Sequence, residues 1–430
     1  MRLSESQNDP LIVVWMKRMI KQQKEVKIIN QKQFNPSSSS IVGLNGLLFC
    51  ISDIRHGIGP LLSIHLRSAL KWDPAKIGLT LAAVEISAFL SQIPAGLLAD
   101  SSKQKRTIIA SACSLIILGC LIILWTSTFS SIIFAQLLMG ISIALISPTI
   151  GSITLGLFGR KNFPKRVGIN EIWNHCGNVI SALLVGMFGY IYGTQWMFYI
   201  LIGFAISTLT FLSFIRPNEI DYSTAREADI ENNKPISLAI LLKRKTIIIF
   251  NLSLILYYIA NGAQMSLVGQ ILANNDPTHS PLLIAACMII AEIFMVATAY
   301  IMSRIIDRFN RKTFFFVAFS LLPIRAILFT LVESTPLLLL IQTLDGIAAG
   351  ILSVIGVIIN SDIAINTGRF NFLQGLGALS IAIGESTSQM FAGFIAKSFG
   401  FNVSFLFLAS VAIIGNFFFT SFMPETKNRS

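Results

Sequence analysis

Charge is what this chain has least of: 13 % of its 430 residues are Asp, Glu, Lys or Arg, against about a quarter in soluble globular domains. That shortage argues against two or three soluble domains, which the length alone would allow. Cysteine is equally sparse. Cys50, Cys113, Cys120, Cys176 and Cys287 are odd in number and sit inside apolar stretches. They form no disulfide framework and no metal-ligand spacing, so they are expected to be buried packing residues, and no metal is expected. No G-x-x-x-x-G-K-S/T run occurs, which leaves a built-in ATPase unsupported. Trp and Tyr number only 5 and 7, which weighs weakly against a sugar site. What the chain does have is apolar residues: 53 % of the total, with a mean hydropathy of +0.70. They gather in blocks near 20 residues, each long enough to cross a hydrocarbon core of ~30 Å as a helix.

Hydropathy predicts an all-α polytopic membrane protein with twelve spans, near 41–66, 78–99, 107–126, 131–157, 168–191 and 196–215, then 246–273, 282–306, 313–332, 337–361, 371–396 and 402–422. The division is a basic tail (1–40), a six-helix bundle (41–215), a polar linker (216–245), a second bundle (246–422) and a C-tail (423–430). The net charge of +12 does not require a nucleic-acid partner, because the basic residues fall between the apolar blocks. With both termini in the cytoplasm, 27 of the 33 Lys and Arg lie on that side, as the retention of positive charge requires. The tail carries no cleavable signal: Leu11 to Met16 is too short an apolar run. Ile12, Trp15, Met16, Met19 and Ile20 would share one face of a helix lying on the inner leaflet, and a loose basic tail fits equally well.

The two halves repeat. Gly96-Leu97-Leu98-Ala99-Asp100-Ser101-Ser102-Lys103-Gln104-Lys105-Arg106 follows the second span, and Ser303-Arg304-Ile305-Ile306-Asp307-Arg308-Phe309-Asn310-Arg311-Lys312 follows the eighth. Asp100 and Asp307 stand 207 positions apart, as do Glu85 and Glu292, and Gly186 and Gly393; Gly140 and Gly346 are separated by 206. A duplicated six-helix unit is the simplest cause. Both loops resemble the G-x-L-A-D-R-x-G-R-K signature of the major facilitator superfamily, with Ser101 in place of Arg and Lys103 in place of Gly. Three further stretches, Asp53 to Pro60, Asn170 to Asn178 and Thr367 to Gly375, resemble a poorly characterised bacterial branch of it. The fourth-span Arg of proton-coupled drug exporters is replaced by Gln136, four residues before Gly140, and the fifth span lacks their Gly-Pro pair.

The resemblance implies two pseudo-symmetric bundles, with spans 1, 4, 7 and 10 around a central cavity, spans 2, 5, 8 and 11 along the seam, and spans 3, 6, 9 and 12 toward lipid. It also implies a conformational latch in the repeated loops, built from Gly96, Asp100, Lys105, Arg106, Ser303, Asp307, Arg308, Arg311 and Lys312, that stabilises the outward-open state.

An ionisable residue within a span costs on the order of 2.5–3.5 kcal/mol on insertion scales, so each needs a partner or a task. Asp53 and His56 share a face of the first span, with Arg55 pointing elsewhere, beside a helix break at Gly57, Gly59 and Pro60. Glu171, Asn174, His175 and Asn178 form a continuous polar stripe at i, i+3, i+4 and i+7, answered on the eleventh span by Gln374, Glu385, Ser388 and Gln389. Asp53, Arg55, His56, Asn174, His175, Asn178, Gln374, Glu385, Ser388 and Gln389 are therefore the candidate substrate contacts. Asp53, His56, Glu85 and Glu292 are the candidate proton carriers, and for the last two an outer gate of interhelical hydrogen bonds is an equal alternative. Arg325 and Asp345 reach similar depth on adjacent helices and are expected to form a structural ion pair.

These residues point to a secondary transporter working by alternating access, monomeric, set in the bacterial inner membrane and driven by a proton or other ion gradient without a cofactor. Its expected cargo is a small amphipathic organic solute: a drug-like molecule, an organic acid or a siderophore. The direction, import or efflux, stays open. An uncoupled uniporter is the alternative, and a membrane-embedded enzyme or a receptor the more distant ones, since Ser388 and His175 have no third catalytic partner in the pattern.

Overall fold

The computed structural model describes residues 35–56, 58–222, 237–306, 308–332, 334–364 and 370–427. The amphipathic tail segment of residues 12–20 lies outside them, as do the side chains of Asp53, Arg55, His56, Asp100, Ser303 and Asp307. With no water in the bilayer core to satisfy backbone N–H and C=O groups, the apolar blocks close their hydrogen bonds internally. Accordingly they fold as helices: α1 (Ser38–His56) and α2 (Ile58–Ser68) make span 1, α3 (Pro74–Ser101) span 2 and α4 (Lys105–Trp125) span 3. The long α5 (Phe129–Tyr192) supplies spans 4 and 5, and α6 (Trp196–Phe214) span 6. After the short linker helix α7 (Leu238–Leu242), α8 (Lys245–Asn261) and α9 (Gln264–Asn275) make span 7, and α10 (Ser280–Ile305), α11 (Arg311–Leu331), α12 (Thr335–Ala364), α13 (Phe370–Phe399) and α14 (Phe401–Phe422) are spans 8 to 12.

Two boundaries differ from the hydropathy reading. Residues 160–166, expected as a loop between spans 4 and 5, are helical, and the chain turns instead at Gly159 (φ 70°, ψ 165°). A positive φ is open to glycine at little steric cost, so one residue suffices to redirect the helix. Arg166, counted in the sequence with the surface basic residues, turns inward: Nε donates to Asn170 Oδ1 at 2.9 Å and Nη2 to Asn45 Oδ1, with Phe158 under the guanidinium. Span 7 is also not one helix. Ala263 N–H bonds Ser388 Oγ (2.9 Å) instead of continuing the helical ladder, and α8 gives way to α9 there.

The 207-residue repeat is visible in the packing. A side chain at Gly140 would strike Val84 O, Ser87 and Ala88, and one at Gly346 would strike Ala291 O, Phe294 and Met295. Each partner in the second set stands 207 positions after its counterpart in the first. Lys105 donates to Ala99 O and Arg311 to Ile306 O (2.6 Å), the same staple in each half at the end of spans 2 and 8. Glu219 caps the start of span 1 through Ser37 N–H (3.0 Å), and Glu425 caps span 9 through Arg311 and Lys312 N–H. These basic residues therefore do more than mark the membrane surface. Lys105 is fully buried and ties two spans of one bundle together. Four of the five cysteines are buried as expected, but Cys176 is exposed, on the same helical face of span 5 as the exposed Ile172, Trp173, Ile180 and Leu183.

Candidate functional site

The bundles meet along spans 2 and 11 and along spans 5 and 8, and the closest approaches all lie at the end of the molecule away from the termini. Gly78 faces Gln389 O and Gly393, and Gly186 faces Pro281 and Ala285. At the same end α2 packs on α9, where Ser63 Oγ reaches Ser266 O at 3.2 Å and Arg67 Nε donates to Asn274 Oδ1. Tyr190 stacks on His279 with ring centroids 5.0 Å apart, and Lys397 Nζ lies 3.4 Å from Asp73 Oδ2. At the termini end the seam gapes: a side chain added at Gly96, Gly168 or Gly375 would meet nothing within 4 Å, and Ile93 and Leu97 of span 2 are about two-thirds exposed. The molecule is closed at one end and open at the end that carries its termini.

Burial raises the Asp73 carboxyl, but Lys76 N–H and the Lys397 ammonium outweigh it and hold the group below its ordinary value. A carboxylate depressed in the closed form supports closure at neutral pH, and that support fades only as pH falls below the usual aspartate range near ~4. Lys397 is half-exposed, so water screens the pair. Asp73→Asn is expected to change the labelling rate of a cysteine placed at Asn274 by less than tenfold, and a larger change would show that this contact governs closure.

Between the two ends lies a cavity of about 450 Å³ lined from both halves. The polar stripe of span 5 faces it entire: Glu171, Asn174, His175 and Asn178 all contribute. Across the seam, Glu292 Oε1 accepts from Asn178 Nδ2 and lies 3.2 Å from His175 Nδ1, while Asn174 Nδ2 reaches back to Glu171 at 3.5 Å. The symmetry-related position holds a second crossing: Glu85 of span 2 faces Glu385 of span 11 at the cavity wall. Asn178 and Glu385 are themselves 207 positions apart. One repeat thus places an amide opposite its glutamate where the other places a second carboxyl.

The rest of the predicted contacts divide. Gln389 lines the cavity and donates to Gly262 O (2.8 Å) and Ser266 Oγ (3.2 Å), bracing the broken span 7. Ser388, expected to meet substrate, is fully buried with its hydroxyl committed to Ala263 N–H; one residue along a helix turns a side chain ~100°, which is enough to move it from the cavity wall to the helix contact. Gln374, likewise expected at the site, lies toward the termini end and accepts from Asn360 Nδ2 at 2.7 Å. Arg325 and Asp345 are bonded to each other, and Arg325 Nη1 also donates to Asn261 Oδ1 (2.9 Å) at the end of α8; all three reach the cavity wall. Asn45 and Thr154, which with Arg166 and Asn170 knit spans 1, 4 and 5 together, had no place in the sequence reading, and Asn170 stood there only as the first residue of the Asn170–Asn178 stretch. Their signal was present in the near-repeat of Asn45 and Thr154 as Asn251 and Asn360, 206 positions on.

Residues 44–291 and 250–430 match the family model of the Major Facilitator Superfamily. The chain belongs to that superfamily. Two proteins of Mycobacterium tuberculosis, from strains CDC 1551 / Oshkosh and ATCC 25618 / H37Rv and each described as an uncharacterized MFS-type transporter, are 32 % identical over 387 residues, which is 89 % of this chain and 93 % of theirs. Among solved structures, the nucleoside transporter NupG in a mutant form is similar with a TM-score of 0.74 at 15 % identity, covering 89 % of this chain and 99 % of that one. A D-xylose-proton symporter is similar with a TM-score of 0.67 at 15 % identity, covering 90 % and 98 %. The protein is therefore an integral membrane transporter with the twelve-span superfamily fold and not an enzyme, and its cavity lies between the two bundles.

Proposed function

We propose that this superfamily member is a proton-coupled secondary transporter of a small organic solute, monomeric, in the cytoplasmic membrane of a bacterium, and that the form described here faces inward. The distribution of basic residues supports placing the termini, and hence the open end, in the cytoplasm. The disengaged Gly96 supports the same reading, since the latch implied by the repeated loops would hold the opposite state.

The observation that carries the coupling is the meeting of the Glu85 and Glu385 carboxyl groups across the seam at the cavity wall. Two carboxyl groups so placed can hydrogen-bond only if at least one proton lies between them. That proton joins spans 2 and 11 across the seam. Losing it leaves two like charges facing each other in a poorly solvated cavity, which disfavours contact and favours separation of the bundles. The His175–Glu292–Asn178 crossing at spans 5 and 8 is the second group that responds to protonation, through its imidazole. Asp53 and His56 stay as candidate carriers on the sequence argument alone.

In vesicles loaded with protein and a pH gradient, wild-type protein is expected to concentrate its solute against a gradient. Glu85→Gln, which keeps a hydrogen bond but cannot ionise, is expected to retain solute exchange and to lose gradient-driven accumulation by at least tenfold. If Glu85→Gln and Glu385→Gln accumulate solute as wild type does, the carboxyl pair is not the coupling site. If wild-type accumulation is indifferent to the pH gradient, the protein is a uniporter.

A further inference from the structure

The cavity wall carries an unequal set of charges. Among the described lining residues, Glu85, Glu171, Glu292, Glu385 and Asp345 are acidic and Arg325 is the one guanidinium. Arg325 spends its charge on Asp345 and Asn261 and is 1 % exposed. His175 faces Glu292. Among the described lining residues an anionic solute would find no uncommitted cation, and it would meet the Glu85–Glu385 pair and Glu171.

A second, independent feature favours positive charge. Helix α8 ends at Asn261 and Gly262, both on the cavity wall, and its ladder is interrupted there by Ser388; side chains occupy two of its last carbonyls, Gln264 at Ala260 O and Gln389 at Gly262 O, so the end is only partly open to a cation. The carbonyl end of a helix carries roughly half a negative charge, and interrupted helices of transporters use such ends to hold cations. The remaining wall is soft and apolar, with Met265, Met288 and Met295 from spans 7 and 8. Thioether side chains adapt to irregular apolar bodies and pack well on aromatic rings.

Resting on the reading of this cavity as the transport site, we infer that the substrate is an organic cation, an amine on an aromatic or alkyl body small enough for about 450 Å³. The ammonium is placed between the Glu85–Glu385 pair and the end of α8, and the body lies against the methionine wall. Organic acids and carboxylate siderophores, which were reasonable from composition, fit this wall poorly.

The test is a binding comparison on the full-length protein in detergent, using matched series in which one aromatic or alkyl body carries an amine, an alcohol or a carboxylate. Thermal stabilisation is expected to rank amine over alcohol over carboxylate, with apparent affinities at least tenfold apart between amine and alcohol. The Glu85→Gln, Glu385→Gln double variant, close in shape to wild type, is expected to reduce the amine preference to less than threefold while keeping the wild-type melting temperature without ligand. The inference is overturned if carboxylates rank level with amines or above them, if no amine outranks its own alcohol, or if the double variant keeps the full preference. Because the ranking reads binding and needs no gradient, it can fail while proton-driven flux stands, and the flux test can fail while the ranking holds.

Discussion

Valine at Gly78 or Gly393 is expected to leave the protein folded and to drive it out of the conformation described here. A Cβ at Gly78 would lie 2.2 Å from Gln389 O, and one at Gly393 would lie 2.5 Å from Pro74 O and 3.0 Å from Gly78 Cα. The obstacles are backbone atoms on the opposite bundle, so no side-chain rotation relieves them. Either bundle by itself is undisturbed, because the clash lies only at the closed end of the seam. Overpacking of this kind costs about 1–3 kcal/mol, and each 1.4 kcal/mol is a tenfold shift in the balance between two states. The closed end is therefore expected to open by roughly tenfold to a hundredfold, read as faster maleimide labelling of a cysteine at Asn274 in a Cys176→Ser background. Valine at Gly96 is expected to act in the opposite direction. Gly96 has open space around it in this state, whereas the latch implied by the repeated loops requires it to be small in the other. If Gly78→Val and Gly96→Val shift the labelling the same way, the two ends of the seam are not alternately closed.

The largest loss of folded protein is expected from Arg325→Ala. Arg325 is 1 % exposed and bonded to Asp345 and Asn261, with its guanidinium over the Phe329 ring at 5.6 Å. Removing the cation alone leaves a carboxylate facing a low-dielectric wall, and breaking one side of a buried pair costs about 3–5 kcal/mol. For a protein whose margin is on the order of 5–15 kcal/mol, that is a large share. Folded yield on size exclusion is expected to fall severalfold. Replacing both partners removes the stranded charge, so Arg325→Met with Asp345→Leu is expected to recover much of the yield. The exchanged pair Arg325→Asp with Asp345→Arg is expected to recover part of it, because Asn261 then loses its donor. A single Arg325→Ala that folds as well as wild type, or the failure of both double variants, would remove the pair from the stabilising framework.

Part of the cavity wall was legible in the sequence. The span-5 stripe follows from a spacing of 3.6 residues per turn, and Glu171, Asn174, His175 and Asn178 do all reach one cavity. The symmetry of Glu85 and Glu292 followed from the offset alone. Their partners did not, although Asn178 and Glu385 carry that same offset, because polar stripes on two helices can meet in many relative rotations. Ser388 shows the limit at finer scale. It shares a polar run with Glu385 and Gln389 but turns toward α9, where the interrupted helix leaves an N–H to be satisfied. Arg166 shows the converse: a residue placed at the surface by its neighbours is buried by a turn at Gly159.

Local chemistry by itself determined the apolar helical spans and the repeat, because hydropathy and backbone saturation act along the chain. Tertiary structure decided which end of the seam is closed, which glutamate answers which partner, and what charge the cavity presents. In the proposed alternating-access cycle the two states use the same helices and differ by the tilt of one bundle on the other. States of this kind lie close in free energy, and the contacts at the closed end join residues about 90 to 325 positions apart, such as Tyr190 with His279 and Gly78 with Gly393. No period along the chain encodes that choice.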